Sequence, residues 1–163
     1  MNLLKIPLCT DITHLSASTQ FEKNVQFNKN RLNGLLAEYD AFQLLKQFFN
    51  EFEIFQNDET FVENRGYDFY FFEEGIKRKI QVKTSCEYYN TSSITGSSKK
   101  SLLENDYFAF CYFDQHNQKL WLWGLYTGEH INENVNILEN KDNKWFMLFK
   151  DDSISDYREV EVK

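Results

Sequence analysis

The feature of this chain that most limits its fold is the stretch GYDFYFFEEGIKRKIQVKTS, which runs from Gly66 to Ser85. Apolar residues recur on both sides of Glu74-Gly75, a pattern typical of two antiparallel strands joined by a tight turn. If the turn contains an even number of residues and is centred on Glu74-Gly75, Asp68 faces Gln81 on the neighbouring strand. Lys83 is then a diagonal neighbour on the same side of the hairpin.

Asp68, Gln81 and Lys83 belong to residue types that are rarely buried unless they are paired or hold a ligand. A fourth polar residue joins them from a predicted helix, Arg31 to Asn50, in which apolar residues recur at intervals of three and four. Glu38 lies within the apolar stripe of this helix, so its carboxylate is expected to point toward the sheet. The four groups are predicted to converge, either as a functional site or as an ion pair that only ties helix to sheet.

The remaining pattern predicts mostly strands. They are expected at Glu53 to Gln56, Tyr67 to Phe72, Arg78 to Cys86, Tyr107 to Phe113, Lys119 to Tyr126, Lys144 to Lys150 and Glu159 to Lys163. The two strands that flank Asp114 to Gln118 are predicted to form a second hairpin, and LWLWGLY, from Leu120, is predicted to be a central strand because it is apolar on both faces. Thr91 to Ser101, which is rich in Ser and Thr, is expected to be a mobile loop.

This order of elements indicates an α+β or α/β fold, with a helix followed by a mixed β-sheet and flanking helices. The length of 163 residues predicts one domain. Within it we expect an irregular or partly helical N-terminal extension over residues 1–30, a core over 31–126 and C-terminal strands over 127–163.

The net charge of −7 argues against a protein that coats nucleic acid without specificity. One segment is basic all the same, because Lys77 to Lys100 holds six basic residues and one acid, whereas twelve acids and six bases follow from Ser101 onward. The three cysteines have no CxxC spacing, which argues against a zinc ribbon or a disulfide framework. With no signal-like start and no apolar run long enough to span a membrane, a cytoplasmic location is expected.

The order Glu38, Asp68 and then Gln81-Val82-Lys83 resembles the PD-(D/E)XK nuclease superfamily, with Gln in place of the second acid. The stretches GLLAEYDAFQLL, GYDFYFF and IQVKTS carry this resemblance, which covers about a third of the chain. It is similar above all to the Gln variants found among group I intron homing endonucleases and resolvase-like nucleases. Tyr67 stands where the superfamily motif has Pro.

The resemblance implies a restriction-endonuclease-like core and Mg²⁺-dependent hydrolysis of DNA, with Mn²⁺ able to substitute. Glu38, Asp68, Gln81 and Lys83 would be the catalytic residues, and Asp68, Glu38 and the Val82 carbonyl would hold the metal. A homodimer or higher homo-oligomer would be needed to cut both strands.

The basic segment supplies four candidates for contacts with DNA phosphates, Lys77, Lys79, Lys99 and Lys100. Two other interpretations remain open at this stage. One is a noncatalytic nuclease-like domain that binds nucleic acid or a protein partner, with Gln81 marking a lost site. The other is a domain whose polar cluster is purely structural.

Overall fold

The computed structural model describes residues 1–12, 29–57, 66–96, 104–114, 116–141 and 144–154. Within these ranges the chain forms two helices and nine strands. In chain order they are β1 (Leu8–Asp11), α1 (Lys29–Phe48), β2 (Phe55–Gln56), β3 (Phe69–Glu73), β4 (Ile76–Ser85), β5 (Thr91–Gly96), β6 (Tyr107–Asp114), β7 (Lys119–Thr127), α2 (Gly128–Asn134), β8 (Asn136–Lys141) and β9 (Lys144–Lys150).

The strands form two sheets, and the larger one is mixed. Its order is β1-β7-β6-β4-β3-β2, with β4 parallel to β6 and every other neighbouring pair antiparallel. The smaller sheet has the order β5-β9-β8 and is antiparallel throughout. The expected α+β fold with a mixed sheet is therefore confirmed.

The register of the β3–β4 hairpin agrees with the prediction, because Glu73 faces Ile76 and Phe69 faces Ile80. Its turn consists of Glu74 and Gly75, both with positive φ, of 50° and 79°. Gly75 adopts this left-handed conformation without a steric penalty, which suits a two-residue turn.

Helix α1 packs on one face of the large sheet through a stripe of small and aliphatic residues that recurs every three or four positions. Ala37, Ala41, Leu44 and Leu45 are buried there against Phe69, Phe71, Ile80 and Val82. The small sheet covers the opposite face, where Ile94, Met147 and Phe149 meet the rings of Phe108, Phe110 and Trp123. Alternate residues of β4 and β6 thus belong to different layers, as the period of two in a strand requires.

Three expectations from the sequence were wrong. Residues 8–11 are not an irregular extension but the edge strand β1, which pairs with β7. Of the predicted loop Thr91 to Ser101, Thr91–Gly96 is instead β5, which is held by β9 and buries Ile94, and residues 97–101 lie outside the described residues. The C-terminal part does not consist of strands alone, because Thr127 caps the short helix α2 by accepting a hydrogen bond from the backbone N–H of His130.

Other expectations are confirmed, with small shifts of boundary. The long helix, the β6–β7 hairpin, β9 and a short β2 all occur, and β7 is a central strand between β1 and β6. The predicted strand Glu159 to Lys163 lies outside the described residues. Cys9 and Cys111 are free thiols. Neither described helix is long and apolar enough to cross a membrane.

Candidate active site

The candidate site lies where the regular pairing of β3 with β4 ends, although the backbone N–H of Asp68 still donates to the carbonyl oxygen of Ile80 at 2.9 Å. Ladder pairing ends at Phe69 and Ile80, and Asp68 precedes that point. The carboxylate oxygen Oδ2 of Asp68 accepts a hydrogen bond of 2.6 Å from the backbone N–H of Val82. In a regular ladder the N–H of a strand residue donates to a backbone carbonyl of the neighbouring strand. At Val82 the carboxylate of Asp68 accepts this hydrogen bond instead.

Gln81 holds Asp68 from the other side. Its amide nitrogen donates to Oδ2 of Asp68 at 2.5 Å and to the carbonyl oxygen of Val82 at 3.2 Å. The sequence predicted the pairing of Gln81 with Asp68, and the structure brings the two side chains together. The nitrogen of the Gln81 amide, and not its oxygen, faces the carboxylate of Asp68.

Glu38 approaches this point from helix α1. The next residues of its stripe, Ala41 and Leu45, are fully buried, and Ala37 beside it is also in the core. The carboxylate is therefore drawn out of water toward the end of β3, and it lies close enough to Asp68 and Lys83 for their charges to act on it.

Burial is the main electrostatic influence on both acids. It raises the pKa of Glu38 to about 8, with a further rise from the negative charge of Asp68 and an opposing effect of Lys83. The pKa of Asp68 is also raised by burial, against the lowering effects of Lys83 and of the hydrogen bond from Val82. Two carboxyl groups that share a poorly hydrated space cannot both ionise without a compensating cation.

Lys83 is the charged neighbour of both acids. It is partly buried on β4, two residues beyond Gln81 and on the same side of the strand. Its ammonium lowers the pKa of Glu38 and of Asp68, so it compensates part of their charge. One lysine between two carboxyl groups leaves the site short of positive charge when both are ionised.

The donor set can be tested against a hard divalent cation. Among the described ranges no group of three or more His, Cys, Asp or Glu side chains comes together as a metal site. Mg²⁺, however, is usually held by only one or two carboxylates, with water and substrate phosphate completing its shell. Two carboxylates that lack compensating charge, beside the Val82 carbonyl, fit that requirement.

The predicted DNA-contacting lysines divide into two groups. Lys77 and Lys79 lie on β4, opposite Phe72 and Tyr70 of β3, and both approach aromatic rings. Lys99 and Lys100 lie outside the described residues. The aromatic partners of the first pair were not singled out from the sequence, although the alternation within GYDFYFF places Tyr70 and Phe72 on the same side as Asp68.

The comparisons with known proteins give little beyond this geometry. No family model matches the chain, and no curated protein matches it. Among solved structures, a bacterial homing endonuclease, I-Ssp6803I, is similar at 14% identity over 80% of each chain, with a TM-score of 0.40. Similarity of this degree does not place the chain in a family.

Proposed function

We propose that this chain is a metal-dependent DNA endonuclease and that Glu38, Asp68 and Lys83 form the site that hydrolyses phosphodiester bonds. The observation that carries the proposal is a pair of neighbouring, partly buried carboxyl groups with raised pKa beside a lysine. Strongly perturbed acids with a charged partner are more common at functional sites than elsewhere. Their order and spacing also resemble the PD-(D/E)XK pattern.

Each residue of the site has a role in this proposal. Mg²⁺, or Mn²⁺ in its place, would supply the charge that polarises the scissile phosphate and makes water a better nucleophile. Glu38, Asp68 and the Val82 carbonyl would hold the ion. Because both hydrogen bonds to Asp68 fall on Oδ2, the oxygen Oδ1 is the one suited to contact it.

Lys83 would act on the substrate, whereas Gln81 would act on Asp68. Lys83 would orient the attacking water or stabilise the negative charge that develops on the phosphate oxygens. Water then adds to phosphorus as the bond to the 3′ oxygen breaks. Gln81 would be a positioning residue, since its amide holds Asp68 in place.

One observation favours the noncatalytic alternative. The amide nitrogen of Gln81 bridges Asp68 and the Val82 carbonyl, which are two of the groups that would otherwise share a cation. If that bridge replaces the metal, the domain would bind nucleic acid or a protein partner without cutting. The enzyme is preferred because a neutral amide does not supply the positive charge that Glu38 and Asp68 need in order to ionise together.

The test is cleavage of supercoiled plasmid and branched DNA with Mg²⁺ or Mn²⁺, and with EDTA as a blank. Asp68→Asn and Lys83→Met are expected to abolish cutting while the fold is retained. Asp11→Asn is the matched control, since Asp11 is an exposed carboxylate paired with Lys119 on β7, away from the site. If all variants cut alike, the activity does not depend on Asp68 and Lys83. If the wild type neither cuts DNA nor binds Mg²⁺ in calorimetry, the noncatalytic alternative is favoured.

An assembly of two or more copies belongs to the same proposal. A subunit with one site cuts one strand at a time, so cleavage of both strands is expected to need a homodimer or a higher homo-oligomer. Sedimentation with and without a DNA duplex would measure the number of copies in the assembly. A strictly monomeric protein that makes only nicks would contradict the proposed oligomer.

A further inference from the structure

Aromatic rings and lysines continue the face of the hairpin that bears Gln81 and Lys83. Tyr70 on β3 faces Lys79 on β4, and Phe72 faces Lys77. Side chains alternate with a period of two, so these four residues share the side of Gln81. From Lys77 to Lys83 this face extends over about 20 Å at the usual rise per strand residue.

The rings of this face form a connected and accessible group, called here the aromatic patch (Phe55, Tyr70 and Phe72). Phe55 stacks on Tyr70 with ring centroids 5.3 Å apart, and Tyr70 meets Phe72 edge to face at 5.9 Å. Phe72 is 52% exposed and Phe55 36%. The small sheet packs over β6 and β7 on this side, whereas the rings of Phe55 and Phe72 remain accessible to solvent.

The two lysines are held in place by the rings. The Nζ atom of Lys77 lies 4.1 Å from the ring centroid of Tyr70 and donates a hydrogen bond of 2.7 Å to the hydroxyl of Tyr67. The Nζ atom of Lys79 lies 5.5 Å from the ring centroid of Tyr67. Cation–π contacts of this kind attract the ammonium groups to the ring faces and restrict their motion. They can meet a phosphate with a smaller loss of side-chain entropy than free lysines.

We propose that the aromatic patch binds unpaired bases of the nucleic acid that lies across the candidate site, with Lys77 and Lys79 contacting the adjoining phosphates. Exposed rings next to cations are the combination that binds single strands, because every base has a face on which an aromatic ring can stack. Bases inside an intact duplex offer no free face. This inference rests on the proposed function and names the substrate class of the endonuclease, which is DNA with a single-stranded segment beside the bond that is cut.

The charges on this face argue against a second copy of the chain as the occupant. On this side β4 carries the ammonium groups of Lys77, Lys79 and Lys83, and neither β3 nor β4 carries a carboxylate there. The carboxyl groups of Asp68 and Glu38 lie beyond the end of β3. A twofold interface formed by this patch would set the same lysines against one another. A polyanion with exposed bases satisfies the rings and the ammonium groups together.

The test measures binding by fluorescence anisotropy with EDTA present, so that hydrolysis plays no part. The probes are one labelled oligonucleotide as a single strand, as a full duplex, and as a duplex that ends in a single-stranded flap. We expect the flap and the single strand to bind more tightly than the duplex. Phe72→Ala is expected to weaken binding to both by about 5- to 150-fold, the range found when a stacking residue is removed.

Ile76→Ala is the matched control, because Ile76 is 55% exposed in the same hairpin but faces Glu73 and therefore the other side of the strand. It is expected to change binding less than about twofold, as a neutral surface position should. Lys77→Ala is expected to lower the slope of log affinity against log salt by about 0.7 for the single strand.

Three results would overturn the inference. They are tighter binding of the full duplex, equal effects of Phe72→Ala and Ile76→Ala, and a dimer in sedimentation that Phe72→Ala dissociates. Adding Mg²⁺ afterward separates this inference from the proposed function. Cutting without a preference for unpaired DNA removes the inference alone, and preferential binding without cutting removes the endonuclease alone.

Discussion

Replacing Glu38 by Gln tests whether the site holds unfavourable charge in the absence of metal. Glu38 has a pKa of about 8 in the folded protein against an ordinary value of 4.5. The folded state therefore binds more protons than the unfolded state between these two pH values. The free energy of unfolding falls as pH rises through this window, the opposite of a carboxylate with a depressed pKa.

The size of the effect follows from the same values. At pH 7 an unfolded Glu38 is ionised and a folded one is mostly protonated, a difference equivalent to about 3 kcal/mol, or about 1.5 kcal/mol if Asp68 shares the shift. Glu38→Gln removes this burden, so the variant is expected to be more stable than the wild type by about 1.5–3 kcal/mol at pH 7, with equal stability near pH 4.5.

Urea denaturation followed by tryptophan fluorescence between pH 4.5 and 8.5, with EDTA, measures both proteins. The control is Glu51→Gln, which removes an exposed carboxylate and should change the free energy of unfolding by less than about 0.5 kcal/mol. Mg²⁺ at a hundred times its dissociation constant should stabilise the wild type at pH 8 by about 2.7 kcal/mol, and the variant by less. Parallel pH profiles for wild type and Glu38→Gln would refute the buried-charge reasoning, and a wild type indifferent to Mg²⁺ would refute the metal site alone.

Further substitutions probe the site and the packing around it. Gln81→Glu adds a carboxylate beside Asp68, so unfolding free energy without metal should fall by about 1–3 kcal/mol, and calorimetry should show Mg²⁺ binding about tenfold tighter; unchanged affinity would contradict the charge argument. Gly128→Ala should destabilise by about 2–3 kcal/mol in urea, because the added Cβ would overlap the backbone carbonyl oxygen of Asn105. Gly75→Ala meets no atom within 4 Å and should lose only about 1 kcal/mol through its positive φ; equal losses for the two glycines would contradict this. Phe110→Ala should lower the free energy of unfolding by about 3–5 kcal/mol, since the ring is fully buried between the two sheets. A loss below about 1 kcal/mol would contradict this, because it would mean that the surrounding side chains fill the cavity.

Local patterns predicted the parts of the site that depend on local structure. The two-residue turn fixed the register that brings Asp68 to Gln81, and the helical period placed Glu38 in the buried stripe. The end of regular β3–β4 pairing beside Asp68 could not be read from the sequence, because there the side chain of Asp68 accepts the hydrogen bond from the N–H of Val82.

The errors in the fold have a common physical reason. Strand β5 is polar except for Ile94, and its partner β9 lies about fifty residues later in the chain. Strand β1 is short, and its partner β7 is more than a hundred residues away. In both cases pairing with a distant strand outweighs a weak local preference.

The excursion of the chain between β4 and β6 has a consequence for the newly synthesised protein. The β3–β4 hairpin can close within microseconds once it leaves the ribosome, whereas β5 has no partner until β9 follows. Until residues 144–150 have been made, the rings of Phe110 and Trp123 lack the cover that Phe149 later provides. Ribosome pausing before that point would lengthen the time for which this apolar surface is open to aggregation or to chaperones.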